Sequence, residues 1–115
     1  MNLKDCYEAI GGDYDDVMSR LPKEDLVEKF LKKLVEGEEY GQLLNAVQLA
    51  DYKSVFAASH TLKGVCANLG LKELCEVVSQ LCENVRGGEP KEDITPLVDA
   101  VKKQYLRLKE NVTQL

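Results

Sequence analysis

Residues Lys53 to Leu69 read KSVFAASHTLKGVCANL, and this stretch carries the clearest pattern in the chain. Small and apolar side chains recur in it at intervals of three and four residues, which places them on one side of an α-helix. They are Val55, Ala58, Ser59, Leu62, Val65, Cys66 and Leu69. Gly70 follows directly and is suited to end a helix in the left-handed conformation. The stretch therefore predicts an amphipathic helix that forms one wall of a helical core.

The segments on either side repeat the helical spacing, and no segment alternates with the two-residue period of a strand. Four more helices are predicted, at about Lys23–Val35, Glu38–Ala50, Leu71–Arg86 and Pro90–Val112. The connections are only a few residues long, so that consecutive helices should run antiparallel. We predict an all-α fold, an up-and-down antiparallel four-helix bundle with one or two additional N-terminal covering helices.

The first 22 residues are less regular than the rest and should form the cover. Their apolar side chains, Tyr7, Ile10, Val17 and Met18, are expected to close one end of the bundle. Residues 23–115 supply the bundle itself. At 115 residues the whole chain, 1–115, is predicted to be a single domain.

Composition excludes several classes of function. The chain has 15 Lys and Arg against 20 Asp and Glu, a net charge of −5, without a basic run, which argues against general binding of DNA or RNA. No apolar stretch approaches the roughly 18 to 20 residues of a membrane span, and charges occupy the place of a signal-peptide core. We expect a cytoplasmic protein. An initiator Met1 and a complete bundle favour a free-standing protein, and a closed bundle with one docking face suggests a monomer.

The four cysteines, Cys6, Cys66, Cys75 and Cys82, contain no CxxC pair and lack zinc-finger spacing. Their simplest interpretation is as reduced thiols that pack like small apolar side chains. An alternative is a thiol-dependent or metal-dependent sensor that uses Cys75 and Cys82. The single histidine of the chain excludes any site that needs two imidazoles.

That histidine, His60, is predicted to face away from the core. On a helical wheel of about 100° per residue it lies about 165° from the centre of the apolar stripe, and Gly64 lies about 155° from it. The same outward face carries no acidic residue. Its other members are Lys53, Phe56, Ala57, Lys63 and Ala67.

This combination suits attack on a phosphoryl group. An exposed neutral imidazole has a free ring nitrogen that acts as a nucleophile. Lys63, three residues after His60, can neutralise charge on phosphoryl oxygens, and Gly64 removes the side chain that would stand beside the ring. The chain lacks a Gly-rich phosphate loop and an acidic cluster for magnesium on this face, so we expect no cofactor, no metal and no kinase activity of its own.

The residues His60-Thr61-Leu62-Lys63-Gly64, followed by Asn68-Leu69-Gly70, resemble the histidine-containing phosphotransfer (HPt) family. The likeness extends from about Leu26 to Arg86, and the last helix matches in pattern only. It implies that His60 accepts a phosphoryl group from a response-regulator receiver domain and passes it to another receiver. It also implies that Lys63 steadies the phosphoryl group and that Gly64 admits the receiver, with a hybrid sensor histidine kinase and receivers as partners and any magnesium on the receiver.

The chain departs from this family at one position. Many members have Gln or Glu 22 residues after the histidine, where it can orient the imidazole, and here that position is Cys82. Ser79, Gln80 or Glu83 can be considered as substitutes. For Phe56 two interpretations stay open, a docking contact or a side chain partly buried against the preceding helix. A receiver-docking adaptor that is never phosphorylated is the alternative function.

Overall fold

The structure is a computed structural model that describes all 115 residues. It is all-helical and contains seven α-helices. In chain order they are α1 (Leu3–Ala9), α2 (Tyr14–Arg20), α3 (Glu24–Glu36), α4 (Glu39–Gln48), α5 (Tyr52–Asn68), α6 (Lys72–Asn84) and α7 (Thr95–Val112). The predicted fold class and the presence of covering helices are confirmed, and there are two such helices.

The helices α4, α5, α6 and α7 pack each against the next, and α3 lies along α7. Contacts between α5 and α6 show that they run antiparallel, since Phe56 near the start of α5 meets Arg86 just beyond the end of α6. Farther along, the carbonyl of Lys63 meets the thiol of Cys75. One continuous apolar core joins side chains from all seven helices.

The N-terminal cover donates hydrogen bonds to carbonyl groups at the end of α5. The Tyr7 hydroxyl donates to the Leu69 carbonyl oxygen at 2.7 Å. The Arg20 guanidinium donates to the carbonyl oxygens of Ala67 and Asn68. These are backbone groups that a helix leaves unpaired at its C-terminus, so the cover completes α5 as well as shielding the core.

Three predicted helix boundaries are wrong. The last helix begins at Thr95 rather than near Pro90, because the segment before it turns back to bond α6: the Lys91 amide donates to Asn84. Helix α6 ends at Asn84 and not at Arg86. Helix α4 ends at Gln48 and not at Ala50, which is exposed with a left-handed φ of 52°.

Local sequence features explain where helix α5 begins and ends and which of its sides is buried. The Asp51 side chain accepts hydrogen bonds from the Ser54 amide and hydroxyl, which caps the start of the helix. At the other end Gly70 has a φ of 65°, the left-handed conformation expected of it. Buried side chains on one side of α5, Val55, Ser59, Leu62 and Cys66, fix its rotation. The opposite side is thereby turned to solvent.

Candidate functional site

The solvent-facing side of α5 carries all seven residues predicted to form the site. Exposed among them are Lys53, Ala57, His60, Gly64 and Ala67, while Phe56 and Lys63 are half-buried. Since a helix rises 1.5 Å per residue, Lys53 and Ala67 mark a face about 21 Å long. His60 lies at its middle.

The His60 ring makes its aromatic contact with Phe56, one helical turn earlier. The two ring centroids are 5.8 Å apart and the planes differ by 20°, an offset stacked arrangement. The structure shows no hydrogen bond to either nitrogen of the imidazole. Both nitrogens are therefore free of protein partners, as a nucleophilic ring nitrogen has to be.

Helix α6 and the turn after it place charges beside this ring pair. The Cζ atom of Arg86 lies 5.2 Å from the centroid of the Phe56 ring, and its Nη2 is 2.6 Å from Oε1 of Glu83. Hydrogen bonding from Arg86 lowers the pKa of Glu83, and the charges of Lys63 and Lys91 lower it further. An ion pair between Arg86 and Glu83 thus lies beside the Phe56 ring, and Lys63 and Lys91 are near enough to its carboxylate to lower the pKa.

Gly64 opens the surface next to His60. A methyl group at this position would have no heavy atom within 4 Å, so packing inside the protein does not require glycine there. Lys53, at the other end of the face, lays the stem of its side chain against Gly88 in the turn before α7. The opening at Gly64 leaves room for a partner to approach the imidazole.

None of the four residues considered for orienting the imidazole bonds to it. Cys82 is fully buried in the core, and Glu83 is paired with Arg86. The Ser79 hydroxyl lies 3.9 Å from the Cys75 sulfur, and Gln80 is exposed without a hydrogen bond to His60. The orientation of the ring must come from another contact.

The two thiols of the alternative sensor, Cys75 and Cys82, differ in their exposure. Cys82 is buried, whereas Cys75 is half-exposed and lies 3.9 Å from the Lys63 carbonyl oxygen. Burial raises the pKa of Cys66 to about 12, which keeps that thiol protonated at neutral pH. The structure contains no group of three or more His, Cys, Asp or Glu side chains placed to hold a metal ion.

Arg86 is the site residue that the sequence did not reveal. It lies 30 positions after Phe56, and the antiparallel packing of α5 on α6 brings its guanidinium over the Phe56 ring. A hint was present in the Glu83-x-x-Arg86 spacing, which pairs opposite charges on one helix face. That spacing by itself does not indicate which neighbouring helix the guanidinium meets.

The family model for the Hpt domain matches residues 25–115, which is most of the chain. The chain belongs to the Hpt domain family. Hpt domains are phosphotransfer modules of two-component signalling, carriers of phosphoryl groups rather than kinases, with receiver domains and kinases as partners. The matched region of this Hpt domain starts after α1 and α2 and includes the whole candidate site.

Comparison with curated proteins and with solved structures found no match to this Hpt chain. None of its seven helices combines the length and the apolar composition that a membrane span requires.

Proposed function

We propose that this Hpt domain is a phosphorelay intermediate, in which His60 accepts a phosphoryl group from a receiver aspartate and passes it to a second receiver. The observation that carries the proposal is the exposed, unbonded His60 ring beside the opening at Gly64. Lys63, three residues after His60 on the same helix, adds a positive charge that favours the approach of a phosphoryl group.

The transfer is a substitution at phosphorus. The unprotonated ring nitrogen of His60 forms a P–N bond while the P–O bond to the receiver aspartate breaks, and the aspartate leaves as a carboxylate with the electron pair. The other ring nitrogen then releases its proton to solvent. Attack by the aspartate of the second receiver reverses these steps and returns His60 to its starting form.

Lys63 supports this step by electrostatics. It lies three residues after His60, on an adjacent part of the helix surface, and its ammonium makes no hydrogen bond within the protein. A free cation near the reacting phosphorus stabilises charge on the phosphoryl oxygens as the transition state forms.

The receiver would supply any metal ion that the transfer requires. We place any magnesium ion needed for the chemistry on the receiver, and we assign no cofactor to the Hpt chain. Docking would use Lys53, Phe56, Ala57, Gly64 and Ala67 on the same face of α5. With one docking face the chain is proposed to act as a monomer, in the cytoplasm with a hybrid sensor histidine kinase.

The test follows a radiolabelled phosphoryl group from one phospho-receiver, through the purified chain, to a second receiver. We expect an acid-labile, base-stable label on the chain and later on the second receiver, and no label on His60→Gln. A wild-type chain that binds receivers yet takes up no label would overturn the relay and leave the docking adaptor as its function.

A further inference from the structure

We propose that Phe56, held in place by Arg86, is the positioning residue that fixes the plane of the His60 imidazole for phosphotransfer. This inference rests on the proposed phosphoacceptor role of His60. It gives Phe56 a role within the chain that is distinct from contact with the receiver.

The first step of the argument is that the imidazole has no polar anchor. An exposed histidine ring without a hydrogen bond can rotate about its last side-chain torsion, χ2. The energy profile of this torsion is broad and roughly two-fold, so the torsion alone does not fix the ring plane. Cys82 is buried and the Glu83 carboxylate is paired with Arg86, so neither holds the ring. The stacked contact with Phe56, at 5.8 Å and 20°, is the contact that restrains it.

The second step is that Phe56 is itself fixed. It is half-buried and packs on the apolar core, unlike a freely moving surface side chain. The Arg86 guanidinium lies 5.2 Å from its ring centroid, within the range of a cation–π contact. Arg86 is in turn held by Glu83, because its Nε and Nη2 groups donate to Oε1 of that carboxylate at 3.0 and 2.6 Å.

The imidazole is thus linked to α6 by a series of contacts, from His60 to Phe56, from Phe56 to Arg86 and from Arg86 to Glu83. Stacking restricts the plane of the exposed imidazole, whose two nitrogens have no hydrogen bond within the protein. Attack in line with the breaking P–O bond needs the ring nitrogen in one direction, and restricting the ring raises the share of productive encounters. From the strength of aromatic pairs, losing the stack should slow transfer about 2- to 10-fold.

The experiment compares Phe56→Leu, which keeps apolar bulk without an aromatic face, with Phe56→Tyr, which restores the ring. Phe30→Leu serves as the matched control, because Phe30 is the other phenylalanine of the chain and lies on α3. Three quantities are measured for each folded variant. They are the transfer rate at saturating receiver, the apparent Kd for the receiver and the proton chemical shifts of the His60 ring, which a stacked neighbour displaces.

We expect Phe56→Leu to lower the saturated rate about 2- to 10-fold and to shift the His60 ring protons, with Phe56→Tyr and Phe30→Leu close to the wild type in both. Arg86→Met should move the ring protons in the same direction as Phe56→Leu, by a smaller amount. If Phe56→Leu raises only the Kd, or leaves the ring protons unmoved, the positioning role is wrong. A wild-type chain that takes up no phosphoryl group would instead refute the proposed function, while the ring-proton shifts would still report the stack.

Discussion

At the scale of single residues, Gly64 is the position whose identity the folded chain does not explain. Glycine inside a helix costs about 1 kcal/mol relative to alanine. At Gly64 there is open space for a side chain and the backbone is helical, so neither packing nor a positive φ calls for glycine. The remaining reason is outside the molecule, in the room that a docking receiver needs beside His60.

A long side chain at Gly64 should therefore impair docking and leave folding intact. We expect Gly64→Gln to raise the Kd for a receiver at least about 10-fold through steric overlap, with an unchanged or slightly higher free energy of unfolding. Gly41→Gln is the matched control, because Gly41 is also helical and open but lies on α4. Equal Kd values for Gly64→Gln and the wild type, measured by titration calorimetry, would remove the steric explanation.

The charge of Lys63 should matter for the rate and not for the fold. Lys63→Ala is expected to slow phosphotransfer about 10-fold, because the charge on the phosphoryl oxygens loses its nearest cation on α5. Lys29→Ala, on exposed α3 surface, controls for the loss of one positive charge. Rapid-quench measurements that give Lys63→Ala the same rate as Lys29→Ala would contradict the electrostatic role.

At the scale of elements, the helix that bears the site is held at both ends. Asp51 caps its start, and Tyr7 and Arg20 of the cover bind the carbonyl groups at its end. Burial raises the pKa of the Tyr7 hydroxyl, which therefore stays a hydrogen-bond donor at neutral pH. The cover thus stabilises α5 although it lies outside the region matched to the Hpt family.

Removing the Tyr7 hydroxyl tests this coupling. Tyr7→Phe keeps the buried ring and leaves the Leu69 carbonyl without its donor, so we expect a loss of about 1 to 2 kcal/mol in the free energy of unfolding. Tyr14→Phe is a control, since the Tyr14 hydroxyl bonds only the exposed Glu24 side chain. Urea unfolding that shows equal losses for the two variants would contradict a specific role of the Tyr7 bond.

The sequence predicted these elements well where spacing alone decides them. The apolar stripe of α5 set its rotation, and His60 is on the exposed side as the wheel required. The start of α7 was missed because Pro90 resembles a helix starter, while the actual start depends on a bond from Lys91 to Asn84 across a turn. Such a tertiary contact does not affect the spacing of apolar residues, so the spacing cannot predict it.

At the scale of the whole molecule, several acidic side chains accept hydrogen bonds in ion pairs or near the starts of helices. Hydrogen bonds lower the pKa values of four aspartates. Asp13 and Asp93 accept from the backbone amides of Asp16 and Thr95. Asp16 accepts from the Arg20 side chain, and Asp51 accepts from Ser54. A carboxyl whose pKa is lower in the folded state stabilises the fold above its ordinary pKa. That stabilisation is lost as the pH falls through the folded value.

Acid should therefore destabilise the protein in a defined window. We expect the urea midpoint to fall as the pH decreases from about 4 to about 2. Asp51→Asn keeps an oxygen acceptor at the start of α5 without a titrating proton, so its midpoint should fall less over the same window. A wild-type midpoint that stays level or rises on acidification would contradict the proposed contribution of these carboxylates.

The sequence predicted the site residues on α5 but not the contact that a second element makes with them. One helix supplied His60, Lys63 and Gly64, and their spacing sufficed to place them on one face. The contact of Arg86 with Phe56 depends on how the turn after α6 meets α5, which a helical wheel does not describe. The sequence did show that this face of α5 carries two lysines and no acidic residue, in a chain whose net charge is −5.

The most direct measurement locates the phosphoryl group by mass spectrometry after the chain meets a phospho-receiver, with the sample kept alkaline to preserve a P–N bond. We predict one added phosphoryl group, carried by the peptide that contains His60 and attached to its imidazole. A phosphoryl group on any other residue, or an unmodified chain beside a receiver that has lost its own, would contradict His60 as the acceptor.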